Sequence, residues 1–246
     1  MVSRTWLLIG LAALAAAGSL AWLVSIYGSP ANHTVKLVFN AKIGDARLDF
    51  NKFSYTNPAG DEKFRIRDFR FYVSNVKLYG KEGVYIEKDS YHLARFDNSD
   101  KNYTITLKQV SLKAINKVVL SIGVDAKANT SIKVVGDLDP NSQMAWNWQV
   151  GYKFVLLEGN IRVDGQVRPL VYHVGFNENR RDVMFSPPED IKLSSDESIQ
   201  FSVDVMKLFT GGSTINMAKL QSVKFDKNDA RSIANNYKAM ISADWK

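Results

Sequence analysis

The sequence contains no cysteine, which excludes disulfides, thiolate metal sites, cysteine nucleophiles, iron–sulfur clusters and a lipidated-cysteine anchor. Histidine is scarce as well, with only His33, His92 and His173 among 246 residues. A transition-metal site must therefore be poor in imidazole or use other donors. The 32 Lys and Arg outnumber the 25 Asp and Glu, yet no basic run is longer than Arg180-Arg181. Such a scattered excess gives solubility and affinity for anionic surfaces, but not the clustered face that nucleic-acid binding needs, so no nucleic-acid partner is expected. Also missing are a nucleophile elbow, a phosphate-binding glycine loop and an HExxH motif, and no carboxylate pair stands out by its spacing. The chain is not expected to be an enzyme.

An uncharged apolar stretch, Trp6 to Tyr27, comes after Arg4. It matches the roughly 20 residues that cross a bilayer as a helix, and exceeds the apolar region of about 7–15 residues in a signal peptide. Ala15-Ala16-Ala17 and Ser29-Pro30-Ala31 offer cleavage sites, so an uncleaved anchor and a cleaved signal both stay open. Arg4 stays inside by the positive-inside rule, and either reading exports the remainder of the chain. Residues 1–31 are thus expected to be a signal peptide or membrane anchor, and 32–246 one periplasmic domain.

That domain reads as strands. Val35, Leu37, Phe39, Ala41 and Ile43 alternate with polar residues. Phe64-Arg65-Ile66 and Phe69 to Val73 come next, with Asp68 breaking the parity as a bulge would. Further strands are expected over 76–79, 84–86, 103–107, 117–124, 132–135, 152–163, 167–176 and 199–205. Asp164-Gly165 between two apolar runs is a strong hairpin signal. Near the C-terminus the period changes, and Ile233, Tyr237, Met240 and Ile241 share the face of a helix over about 228–241. The expected fold is all-β: a Greek-key β-sandwich with one C-terminal helix, preceded by an N-terminal transmembrane or signal helix.

Few constellations carry chemistry. In a strand, Met144, Trp146 and Trp148 share one face. A core ladder is the commoner reason for that pattern; the alternative is a soft, oxidisable site of one thioether and two indoles. Asp137-x-Asp139-x-Asn141 is similar to the opening of a calcium loop. However, Ser142 and Trp148 stand where an EF-hand needs Gly and Glu, so a capped turn is expected, as at Asp97 to Asp100. His173 lies opposite in parity to Leu170, Tyr172, Val174 and Phe176, on the face it shares with Gly175. It is an ordinary hydrogen-bonded histidine or a ligand. His92, and His33 at the start of the domain, have weaker cases. Two histidines with a non-standard donor would suit Cu(I).

Several segments together resemble the family of methanobactin-associated copper proteins, the MbnP-like domain. They are Phe69-Arg70-Phe71-Tyr72-Val73-Ser74-Asn75-Val76-Lys77-Leu78, Asp89-Ser90-Tyr91-His92-Leu93 and Ile122-Gly123-Val124-Asp125. With them go Met144-x-Trp146-x-Trp148-x-x-Gly151-Tyr152-Lys153-Phe154, Leu157-Glu158-Gly159, Tyr172-His173-Val174-Gly175 and Ala234-Asn235-Asn236-Tyr237. The resemblance implies an exported β-sandwich that binds copper, as Cu(I) or Cu(II). In characterised relatives a tryptophan oxidised to kynurenine sits with histidines around the metal. The oxidation is attributed to a partner di-haem protein related to cytochrome c peroxidases. Carried over, Trp146 is the first choice for the modified residue and Trp148 the second; His173 and His92 match the family's histidines, and Met144 is a further donor. Where some relatives have Trp-x-His, this chain has Trp146-x-Trp148, and no histidine lies near its C-terminus. A second hypothesis is a metal-free binding or scaffolding sandwich that engages partners through exposed rings such as Tyr72, Tyr85 and Tyr103.

Overall fold

With 51% of the described residues in strands and 12% in helices, the fold is mostly β, as the alternation predicted. The computed structural model describes residues 32–131, 133–147 and 150–245. The expected N-terminal helix and Trp148 lie outside the described residues. The strands begin with β1 (His33–Ile43), β2 (Ala46–Arg47), β3 (Tyr55–Thr56), β4 (Lys63–Gly80) and β5 (Gly83–Ile86). They continue with β6 (Tyr91–Phe96), β7 (Asn102–Val110), β8 (Ala114–Ile115) and β9 (Lys117–Ile122). Helix α1 (Ala126–Asn129) precedes β10 (Ala145–Asn147), β11 (Gly151–Val163), β12 (Gln166–Gly175), β13 (Arg181–Phe185), β14 (Ile191–Lys192) and β15 (Glu197–Asp204). Helix α2 (Lys207–Thr210), β16 (Ser222–Val223), helices α3 (Lys227–Ala234) and α4 (Tyr237–Met240), and β17 (Ile241–Asp244) complete the chain order.

Two main sheets face each other. The smaller runs β17-β15-β1-β2, with β7 also on β1. The larger runs β13-β9-β4-β11-β12-β16, with β3, β5 and β6 on β4 and β10 on β11. Val35, Leu37 and Phe39 of β1 are fully buried in one core with Phe69, Phe71, Leu157 and Val174 of the larger sheet. Phe201 joins the layers: it stacks on Phe39 at 5.1 Å and meets Phe185 of β13 edge-on at 5.0 Å. The layering is sandwich-like. The pairs β1–β15 and β12–β16 run parallel, so part of each sheet departs from the antiparallel Greek-key plan.

Local differences from the expectations have physical causes. The segments 64–73 and 76–79 form a single strand, β4, which serves β11 with its first half and β9 with its second. A register shift lies between the pairs Asp68–Glu158 and Ile66–Gly159, where the sequence places a bulge. Residues 133–135 are not in a strand, while β6, β13 and β17 are strands that the alternation did not announce. The C-terminal helical stretch is divided between α3 and α4 by Asn235 and Asn236. The fully buried Asn236 side chain accepts from the Gly212 and Ser213 amides and donates to the Leu208 carbonyl. That tie to the loop after α2 stops the helix, and Ile241 then opens β17. The Asp164-Gly165 hairpin is as expected: both residues have positive φ, 51° and 74°, between paired Val163 and Gln166.

The face of the larger sheet turned away from the smaller one carries a second core. Tyr72, Tyr152, Phe154 and Leu156 project there and are covered by Val124, Leu138 and Met144. The Tyr72 and Tyr152 hydroxyls donate to the Asp137 and Leu138 carbonyls, and Arg70 donates to the Ser142 carbonyl. Paired side chains of the sheet thus hold the covering segment in place. The Asp137 carboxylate accepts from the Leu93 amide at 2.8 Å and the Tyr103 hydroxyl at 3.2 Å. Asp139 caps a 3₁₀ turn by accepting from the Asn141 amide. These carboxylates act as ties and caps, the capped-turn reading of the Asp-x-Asp motif.

Candidate metal centre

His173 lies on this outer face, opposite Leu156 in the β11–β12 ladder. Its Nε2 is 2.9 Å from Glu158 Oε1. A carboxylate only accepts, so Nε2 carries the proton and Nδ1 keeps its lone pair. The other Glu158 oxygen is 3.8 Å from an Arg67 guanidinium nitrogen. Burial pushes the His173 pKa down, against the opposing pull of Glu158, and the Lys153 and Lys224 charges push the same way. The imidazole is therefore neutral at pH 7.

This shift carries a prediction. The unfolded chain takes up the proton at the ordinary imidazole pKa, about 6.5, and the folded chain at a lower pH. His173's contribution to stability is complete above about pH 6.5 and falls as the pH drops from there through the lowered value. His173→Gln is expected to reduce the gap between thermal melting points at pH 7.5 and pH 5.

Trp146 reaches the same face from β10. Its six-membered ring lies on Gly175, two residues beyond His173 on β12: a Cβ built on Gly175 would lie 2.5 Å from the ring. The ring packs against Phe176 at 5.5 Å and Phe225 at 5.4 Å between centroids. Phe225 is 61% exposed, and the Lys227 ammonium lies 5.4 Å over the Phe176 ring. The structure thus brings Trp146 and His173 together on one face.

Of the other candidates, Met144 and His92 lie apart from them. Met144 is fully buried in the second core, where its thioether packs against apolar side chains. His92 sits opposite Val73 in β6 and shares the inward parity of Ala94 and Phe96. Its Nε2 is 2.8 Å from Glu87, which also accepts from the Ser90 hydroxyl. The strands β4 and β11 separate β6 from β12, about 14 Å of sheet, and the two histidines point to opposite faces. They do not share a centre. The rings named for a docking role are not free either. Tyr72 is buried, and Tyr85 and Tyr103 are half-buried with their hydroxyls donating to the Lys108 carbonyl and the Asp137 carboxylate.

Glu158, Lys153, Lys224, Phe176 and Phe225 were missed as members of the site. Glu158 was within reach of the sequence, since counting back from the two-residue hairpin sets Leu156 opposite His173 and Glu158 one diagonal away. Phe225 and Lys224 arrive from the distant β16 segment, and no local pattern announces them. Among the described residues, no three or more His, Asp or Glu side chains converge as a metal site would require. As encoded, the centre offers one imidazole and one carboxylate beside two ammonium groups, which falls short of a copper site.

The family model described as MbnP matches residues 32–228. Among solved structures, MbnP from Methylosinus trichosporium is similar with a TM-score of 0.54 at 20% identity, over 73% of this chain and 78% of that one. No curated protein matches the sequence. The structural likeness is one of fold, and it agrees with a family match that covers most of the chain. The chain belongs to the MbnP family.

Proposed function

We propose that the protein is an exported copper-binding protein whose site is built around His173 and an oxidised Trp146. The observation that supports this reading is the placement of the Trp146 ring on Gly175, beside a neutral His173 on the same sheet face. An intact indole has no lone pair suited to a metal. Cleavage of its C2–C3 bond, consuming one O2 and one water and releasing formate, would leave the aryl amine and ketone of kynurenine. That O2 supplies all the oxidising equivalents of the step, and a di-haem partner of the cytochrome c peroxidase type would catalyse it. Trp146 would then supply the donors that the encoded residues lack, while Glu158 orients the imidazole through Nε2. Bound there, copper would occupy a largely apolar rim of Trp146, Phe176 and Phe225. Export rests on the apolar stretch Trp6 to Tyr27. The positive charges of Lys153 and Lys224 favour the competing reading, a metal-free sandwich with these side chains as ordinary packing.

Native mass spectrometry of the protein from its own host separates the two readings. The expected result is a copper adduct with a net exchange of one carbon for one oxygen, located to Trp146 by fragmentation. An unmodified, metal-free mass from copper-replete cells would overturn the copper reading.

A further inference from the structure

We propose that Arg65 and Arg162, mounted together on Phe53, form a binding site for a phosphate group at the hairpin end of the outer face. The Arg65 guanidinium carbon lies 4.8 Å from the Phe53 ring centroid and that of Arg162 lies 4.3 Å from it. Arg65 of β4 pairs directly with Asn160 of β11, and Arg162 is two residues further along the same face. The register therefore forces the two cations to be neighbours, and the shared ring fixes them.

Their surroundings point to an anion. Arg65 donates through Nε to Asn160 Oδ1 at 3.1 Å, which leaves its two terminal nitrogens open. Among the described residues, neither arginine is in an ion pair. Two nearby carboxylates are committed elsewhere, Glu158 to His173 and Arg67 and Asp68 to Arg70, and Asp164 of the hairpin turn is in no ion pair with either arginine. Two like charges on one ring repel, and the fold gathers them without an ion pair to either among the described residues. Guanidinium forks with free N–H edges match the oxygens of a tetrahedral oxyanion bidentately. Beside them on β12, Val167 and Pro169 are exposed and apolar, and Val167 pairs directly with Arg162. This surface suits a phosphate carried on an organic body, whether a free phosphate ester or the headgroup of an anionic phospholipid. Along β11, Arg65 stands about 7 Å and Arg162 about 13 Å beyond Glu158, in the direction away from Trp146.

Titration calorimetry of the full chain with inorganic phosphate and with glycerophosphoglycerol, the water-soluble headgroup of phosphatidylglycerol, tests the site. At least one probe is expected to bind, with affinity falling as salt rises. The double variant Arg65→Gln/Arg162→Gln is expected to weaken binding by about tenfold or more. Lys113→Gln/Lys238→Gln, which removes the same charge from exposed positions elsewhere, is expected to leave it unchanged. Binding of the diester alone assigns the site to the lipid headgroup, and binding of phosphate assigns it to free phosphate. Absence of binding by both probes, or equal weakening in both double variants at unchanged melting temperature, would overturn the proposal.

Discussion

Replacing Gly175 by valine is expected to expel the Trp146 ring from the larger sheet and to destabilise the fold by about 3 kcal/mol. No conformational requirement is involved, since Gly175 is not among the positive-φ positions. The demand is steric. A Cβ there would lie 2.5 Å from the Trp146 ring and 2.5 Å from the Tyr152 carbonyl oxygen. The ring could swing away, but Tyr152 belongs to β11, the strand hydrogen-bonded to β12, and its carbonyl can retreat only if the ladder opens. The Gly175 carbonyl is itself held, accepting from the buried Asn179 amide at 2.8 Å. Near-UV circular dichroism should therefore lose the signal of the Trp146–Phe176–Phe225 cluster, and the melting temperature should drop. Gly165→Ala is the informative control. Nothing lies near its Cβ position, and only its φ of 74° resists substitution, so its cost should be about 1 kcal/mol with the aromatic signal intact. A full aromatic signal in Gly175→Val would show that the ring does not need that glycine.

The same residue shows how far the sequence could be read. Gly175 was placed on the face of His173 by counting alternate positions, because the side-chain period of a strand is two and β12 is regular. The Asp164-Gly165 hairpin then fixes which β11 residues stand opposite, so the pairing of His173 with Leu156 was latent in the chain. Trp146 over Gly175 was not. β10 is short and meets β11 through a register shift between Ala145 and Asn147, so the shared face of Met144 and Trp146 ended in two environments. Met144 enters the second core, and Trp146 reaches past it to Phe225. His92 illustrates the opposite failure. Its family-like segment was legible, but its face depends on the parity of β6 against β4, and no local pattern anchors that register. Tyr72 reads as a candidate surface ring because alternation cannot reveal a second core on a sheet's outer face.

In copper titrations of the mature protein, His173→Ala is expected to weaken binding by more than about 100-fold, while His92→Ala leaves it unchanged. The contrast comes from position. His173 is neutral, keeps Nδ1 free of the Glu158 bond and shares a face with Trp146. His92 is tied to Glu87 on the opposite face, with two strands between. Glu158→Gln falls between them. An amide can still meet Nε2, but it no longer imposes one tautomer, and losses of about 10- to 100-fold are usual when a carboxylate behind a metal-bound histidine is removed. The order His173, then Glu158, then His92 belongs to a one-histidine centre on the outer face. Equal losses at His173 and His92 would require the two faces of the larger sheet to meet at one metal, which the β6-β4-β11-β12 order forbids within a single chain. Such a result would move the copper to an interface between two copies.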